Sequence, residues 1–138
     1  MFDRCLYFNT NHLARLIEKR WKDAYGELGL APAHAYLLRL ILQQPGLMQK
    51  DIAVQLHLEK STITRFVQKM SDAGYLKRKI PASGSLKEQA IFPTAKAKKI
   101  EKPLNDIGDQ LYKSMQSLLS EKDLIQLVTS IKDTAKKV

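Results

Sequence analysis

The side chains that could carry covalent chemistry are few and poorly placed for it. The three histidines stand at positions 12, 34 and 57, with no metal-ligand spacing among them. Cys5 and His12 are seven residues apart, about 10 Å along a helix and too far for a nucleophile–base dyad. No glycine-rich phosphate loop is present. The inventory points away from an enzyme and calls for no cofactor or metal. A different chemistry suits the run from Lys60 to Lys69. Ile63, Phe66, Val67 and Met70 recur at i, i+3, i+4 and i+7, the inward stripe of a helix. Ser61, Thr62, Thr64, Arg65, Gln68 and Lys69 then face outward. Arg can bond guanine through two N–H groups, Gln can bond adenine, and Ser and Thr adapt to base or phosphate. No acidic residue lies between Lys60 and Ser71, and a helix starting near Lys60 turns free N–H groups toward a phosphate. An ordinary solvated helix face is the plain alternative.

The distribution of charge favours the recognition chemistry. The 138-residue chain has a net charge of +9. Between His57 and Lys102 eleven Lys or Arg stand against four Asp or Glu, whereas the other 92 residues carry twelve basic and ten acidic groups. The excess therefore sits on one third of the chain. A localised basic face suits DNA, RNA or an anionic membrane surface. No apolar run is long enough to span a bilayer, and the N-terminus, with Asp3 and Arg4 at once, does not read as a signal peptide. A single cysteine allows no intrachain disulfide and fits a reducing compartment.

The elements that must position these residues follow from periodicity. Leu6, Leu13, Ile17, Ala24 and Leu28 make one amphipathic helix of Asp3 to Glu27. Pro32 opens a second, through about Gln44, which should be buried nearly all round, and Pro45-Gly46 ends it. A short helix over Gln49–Leu56, a turn at His57 and Leu58, and a helix from Lys60 to about Ala73 come next, with Gly74 as C-cap. Residues 75–80 and 88–92 pair as a hairpin around the turn chemistry of 81–85. It adds Lys77, Arg78 and, beyond the tip, Lys87 to the basic surface. Thr94 caps a long helix that Pro103 should bend, and Ser120 opens a last helix with Leu124, Leu127, Val128, Ile131 and Ala135 inward. The expected fold class is mainly α with a small β-hairpin, arranged as a winged helix-turn-helix core. One domain, 1–138, is expected, with flanking helices in 1–30 and 100–138 and the winged unit in 31–99. Two helices joined by a short turn and followed by a hairpin place the second helix in the DNA major groove.

The run LMQKDIAVQLHLEKSTITRFVQKMSDAGYLKRK resembles the core of the MarR family, the multiple-antibiotic-resistance type regulators. Ile52-Ala53, Leu56, Ser61-Thr62-Ile63-Thr64-Arg65, Val67, Met70, Gly74-Tyr75-Leu76 and Arg78 fall in the family's order. The flanking helices match in number and length. Some positions depart. Ser85-Leu86-Lys87 stands where the family carries Asp-x-Arg, and Pro93-Thr94 where it carries Leu-Thr. Ala97 replaces a glycine, and His57 a turn position often held by Gly. Met48-Gln49 opens the first helix of the motif without a Ser or Thr cap, a loss on the order of 1 kcal/mol. Lys is not equivalent to Arg in a narrow minor groove.

The resemblance implies a bacterial or archaeal cytoplasmic transcription regulator, a ligand- or stress-responsive repressor. It also implies a homodimer joined by its terminal helices, bound to a near-palindromic operator in double-stranded DNA. A small aromatic or phenolic effector would sit between the dimer helices and the winged unit, against His12, Arg15, His34 and Tyr36. Cys5 in the first helix is a redox candidate, since one branch of the family senses peroxides through a cysteine there. A winged module for DNA packaging or protein contact is the alternative from another class.

Overall fold

The computed structural model describes residues 1–80 and 89–138; the expected hairpin turn and Lys87 lie outside the described residues. The chain forms two compact units, Met1–Asn105 and Asp106–Val138. In the first, α1 (Leu6–Gly26) starts three residues later than Asp3. The reason is local: Cys5 is its N-cap, the Sγ accepting the Phe8 N–H at 3.5 Å. The Asn9 amide donates back to the Phe2 and Cys5 carbonyls. The helix buries only Tyr25, while Leu6, Leu13, Leu16 and Ile17 stay exposed. Of the expected stripe, Ala24 and Leu28 are half-buried, whereas Leu6, Leu13 and Ile17 are left exposed.

Helix α2 (Pro32–Gln43) buries Ala35, Leu37, Leu38 and Ile41 and half-buries Leu40 and Leu42, less than the expected burial nearly all round. Tyr36 is 43 % exposed and turns to meet α1, where the Trp21 indole donates to its phenol oxygen at 3.0 Å. A short strand follows that periodicity alone does not reveal, β1 (Leu47–Met48). Gly46 makes it possible. Its φ is +92°, and a Cβ there would stand 3.2 Å from the Phe92 ring.

The helix-turn-helix is α3 (Gln49–Leu56) and α4 (Lys60–Asp72). Between them His57 takes the left-handed conformation, φ 55° and ψ 43°. That costs a non-glycine residue roughly 1–2 kcal/mol, offset by a closure in which the Leu58 N–H reaches the Ala53 carbonyl at 3.0 Å. α4 buries Ile63, Val67 and Met70, while Phe66 is half-buried. Each such fully buried aliphatic chain contributes about 1.5–3 kcal/mol. Gly74, at φ +85°, ends the helix as expected, and the Tyr75 N–H bonds the Met70 carbonyl.

Strands β2 (Leu76–Lys79) and β3 (Ala90–Pro93) pair antiparallel, Arg78 opposite Ile91. β3 also pairs with β1, Leu47 opposite Ile91, so the hairpin is part of a three-stranded sheet in the order β1-β3-β2. Thr94 caps α5 (Ala95–Lys99), accepting the Ala97 N–H. The long helix expected here is two, broken at Ile100 before α6 (Glu101–Leu118). Pro103 marks the place of the break, since it has no N–H for the Lys99 carbonyl and its ring crowds that group, and Ile100 leaves the helical conformation there, φ −101° and ψ 3°.

The second unit takes the rest of α6 and α7 (Glu121–Lys137). Ser120 caps α7 as expected, its hydroxyl accepting the Asp123 N–H at 3.1 Å. Of the apolar positions expected inward on α7, Leu124 is buried, whereas Leu127, Val128 and Ile131 are exposed.

Candidate nucleic-acid interface

The α4 face opposite its buried stripe is polar along its whole length. Ser61, Thr64, Arg65, Gln68 and Lys69 are exposed and Thr62 is half-buried. The first turn carries no acid, and its N-cap residue Glu59 makes no side-chain cap bond. The first N–H groups of α4 are thus left uncapped by a side chain, with a partial positive charge at that end. A groove of about 710 Å³ opens at the same end, lined by Lys50, Val54, His57, Lys60 and Ser61 among others. On β2, Lys77 and Lys79 are exposed and Arg78 is half-buried. The structure therefore brings together Lys60, Ser61, Thr62, Thr64, Arg65, Gln68, Lys69, Lys77 and Arg78 on α4 and the strand that follows it.

These side chains are not equally free. The Thr64 hydroxyl lies 2.8 Å from the Gln49 amide oxygen and 3.0 Å from the Lys60 carbonyl. Gln68 donates to the Asp72 carboxylate and accepts from the Arg78 guanidinium, both at 2.8 Å. Lys79 lies 4.9 Å over the Phe92 ring. Among the described residues Arg65 has only a long 3.5 Å contact, to the Thr62 hydroxyl. A further basic residue, Lys96 of α5, is exposed but folds back onto the end of α4. Its ammonium donates to the Ala73 carbonyl at 2.6 Å and sits 4.4 Å over Tyr75. Beside it the Thr94 hydroxyl donates to the Gly74 carbonyl at 2.6 Å. The carboxyl end of α4 is therefore fastened to α5 by a cation and a hydroxyl, a use of Lys96 that a count of basic residues does not separate from surface charge.

The expected effector residues do not meet at one place. His34 packs edge-on against Phe66, ring centroids 4.8 Å apart. Burial and then the nearby Lys69 charge hold its pKa below 6.5. Tyr36 lies instead in a cluster with Trp21, Tyr25 and Arg39. Arg39 donates to the Tyr25 phenol at 3.3 Å and to the Asn105 amide oxygen at 3.2 Å, and stands 5.8 Å over the Tyr36 ring. Burial raises the Tyr25 pKa, with Arg39 opposing. A cleft of about 410 Å³ is lined by Tyr36, Arg39, Leu40, Leu42, Gln43, Glu101 and Asn105, but not by His12, Arg15 or His34. His12 and Arg15 are exposed on α1. Arg39 and Asn105 escaped the sequence reading because their partners lie 14 to 66 residues away. Cys5 is half-buried at the start of α1.

The match to known proteins follows these elements. Residues 28–84 match a model of the MarR family. The chain is 26 % identical over 97 residues to the uncharacterized HTH-type transcriptional regulator YybA of Bacillus subtilis, a match spanning 70 % of this chain and 64 % of that one. Among solved structures it is similar to a MepR–DNA complex of S. aureus, with a TM-score of 0.87 at 17 % identity over 99 % of this chain and all of the other. It is equally similar to the PcaV transcriptional regulator of Streptomyces coelicolor in complex with its natural ligand, with a TM-score of 0.87 at 16 % identity over 99 % and 95 % of the two chains. At these identities the structural likeness is one of fold. Over residues 28–84, which hold α2, the helix-turn-helix and β2, the chain is similar to the MarR family, and its fold is like that of the solved structures.

Proposed function

We propose that this chain is a sequence-specific, DNA-binding transcription regulator that acts as a homodimer on a near-palindromic operator, and that it catalyses no reaction. The observation that carries the reading is the exposed face of α4. It is free of acids from Lys60 to Ser71, carries Arg65 and Lys69, and is continued by Lys77 on β2. Such a face neutralises phosphates and offers donors to base edges at once. The solved MepR relative is a DNA complex. Dimerisation is supported by the apolar faces of α1 and α7, which the chain leaves open to water. No helix among the described residues is long and apolar enough to cross a membrane, and a cytoplasmic, DNA-associated regulator fits that. The single-domain reading has the winged unit in 31–99 and dimerisation helices in 1–30 and 100–138; it is part of the same proposal.

The test is a binding titration on duplex DNA at several salt concentrations. A regulator binds a preferred duplex more tightly than a random one, with affinity falling steeply as salt rises. Equal salt-dependent affinity for every duplex would make it a packaging protein. No binding to any duplex at low salt would leave a protein-contact module.

A second reading concerns an effector. The Tyr36–Arg39 cleft offers a guanidinium beside an aromatic ring and the apolar side chains of Leu40 and Leu42, the combination a small aromatic anion needs. PcaV was solved with its natural ligand. Salicylate titrated into the protein–DNA complex should release DNA, and Arg39→Ala should abolish the release while leaving DNA affinity intact. Undiminished release from the Arg39→Ala variant would place the effector elsewhere. His12, Arg15 and His34 would then be the next positions to change.

A further inference from the structure

Gln68 has the residue type and position of an adenine reader, but each end of its amide already holds a partner, which sets the direction of the amide and leaves one N–H and one lone pair. To read adenine, both the amide oxygen and the amide nitrogen must face the base. Here the nitrogen donates to Asp72 and the oxygen accepts from Arg78, each at 2.8 Å. Chemistry fixes which end goes where. A flipped amide would set its N–H groups against the guanidinium and its oxygen against the carboxylate, donor on donor and acceptor on acceptor. The Asp72 charge also polarises the amide, making its oxygen a better acceptor for Arg78. Arg78 in turn is half-buried, and its Nε, shielded from water, has no hydrogen-bond partner among the described residues. The Gln68 oxygen is therefore the anchor of that guanidinium on α4. Thr64 is similarly committed, to Gln49 and the Lys60 carbonyl.

We propose that Gln68 is a positioning residue, which ties β2 to α4 through Arg78 rather than reading a base, and that direct base reading is confined to the amino-terminal half of α4, to Ser61 and Arg65. This rests on the DNA-binding function proposed above. The acid–amide–guanidinium chain fixes the Arg78 guanidinium relative to the recognition helix. Whatever register Arg65 takes on the bases, Arg78 then takes a set place relative to the same duplex.

The test compares the full-length wild type with Gln68→Ala, Gln68→Glu, Arg78→Ala and the Gln68→Ala/Arg78→Ala double variant, each selecting from a random duplex library. Thermal melting followed by circular dichroism confirms that each variant is folded. The expected Gln68→Ala profile keeps the wild-type base preference at every position, while affinity for the selected duplex falls about 3- to 10-fold, the size of one lost hydrogen bond. The double variant should bind no more weakly than Arg78→Ala alone, because both changes break one chain. Gln68→Glu keeps an acceptor for Arg78, so its base preference should be unchanged. Loss of preference at one position per half-site in Gln68→Ala would overturn the inference and leave the regulator reading standing. So would a switch toward cytosine in Gln68→Glu, or additive losses in the double variant. A wild type that enriches no sequence would overturn the regulator reading, and this inference with it.

Discussion

The exposed face of α4 and the exposed faces of α1 and α7 are built from opposite residue types. On α4 the apolar positions are closed off and what meets water is Ser61, Arg65, Gln68 and Lys69. On α1 water meets Leu6, Leu13, Leu16 and Ile17, and on α7 Ile125, Leu127, Val128 and Ile131. Both kinds of surface come from the same amphipathic periodicity. The difference is whether the chain itself supplies something to bury the apolar side. α4 has α2, α3 and the sheet to pack on. A polar face left over after the core is closed suits a charged, hydrated polymer. An apolar face left open suits a second copy that buries it.

Breaking the apolar faces should have the largest effect. Truncation at Ser120, which removes α7, should yield a monomer or an aggregate in sedimentation and abolish tight operator binding. A well-folded monomer with undiminished binding would show that the α7 face has no part in assembly. Next is Ile63→Ala, which empties a fully buried position on α4 and should cost about 2–5 kcal/mol in denaturant unfolding. Arg65→Ala, on the opposite side of the same helix, should leave unfolding unchanged and weaken operator binding by about 1–3 kcal/mol, with relaxed preference at one base pair per half-site. A uniform loss over all sequences would make Arg65 a phosphate contact.

Smaller effects separate charge from packing. Lys77→Ala should lower the salt slope of binding by about one unit per wing. An unchanged slope would mean that β2 does not touch DNA. His34 of α2 packs its ring on Phe66 of α4, and its charged form is opposed by burial and then by Lys69. Its folded-state pKa lies below the ordinary 6.5. Above 6.5 it is neutral in both states and its packing is fully available. As pH falls through 6.5 the unfolded chain takes up the proton first, so stability is lost. Melting temperatures of the wild type should therefore drop as pH falls below 6.5, and His34→Gln should flatten that part of the profile. Identical profiles would place the acid sensitivity at other groups.

Periodicity revealed the helices because each buries a stripe long enough to repeat: Ile63, Val67 and Met70 on α4 lie where the spacing sets them. The caps at Thr94 and Ser120 were legible too, because a cap is a local bond of a polar side chain to a backbone only three residues on. β1 was hidden because two residues have no period, and its pairing with Ile91 and Ala90 depends on Gly46 and a partner more than forty residues away. The break before Pro103 was half-legible. The proline marks the place, but whether a helix bends or splits there is decided by the backbone around Ile100. The exposed polar face of α4 was legible as a group, since a face needs only the helical repeat. Their division into free and tied side chains was not. Gln68 and Arg78 are brought together by the turn at Gly74, and Lys96 and Ala73 by the sheet, so neither pairing has a spacing signature.

The central claim is that α4 reads DNA sequence in a two-fold arrangement. Selection of bound sequences from random duplex DNA by the full-length protein tests it most directly. The expected result is an inverted repeat whose half-site centres lie about one helical turn, roughly 34–36 Å, apart. Enrichment of a single unrepeated motif would contradict the dimeric arrangement. No enrichment at any salt concentration would contradict sequence reading by α4 altogether.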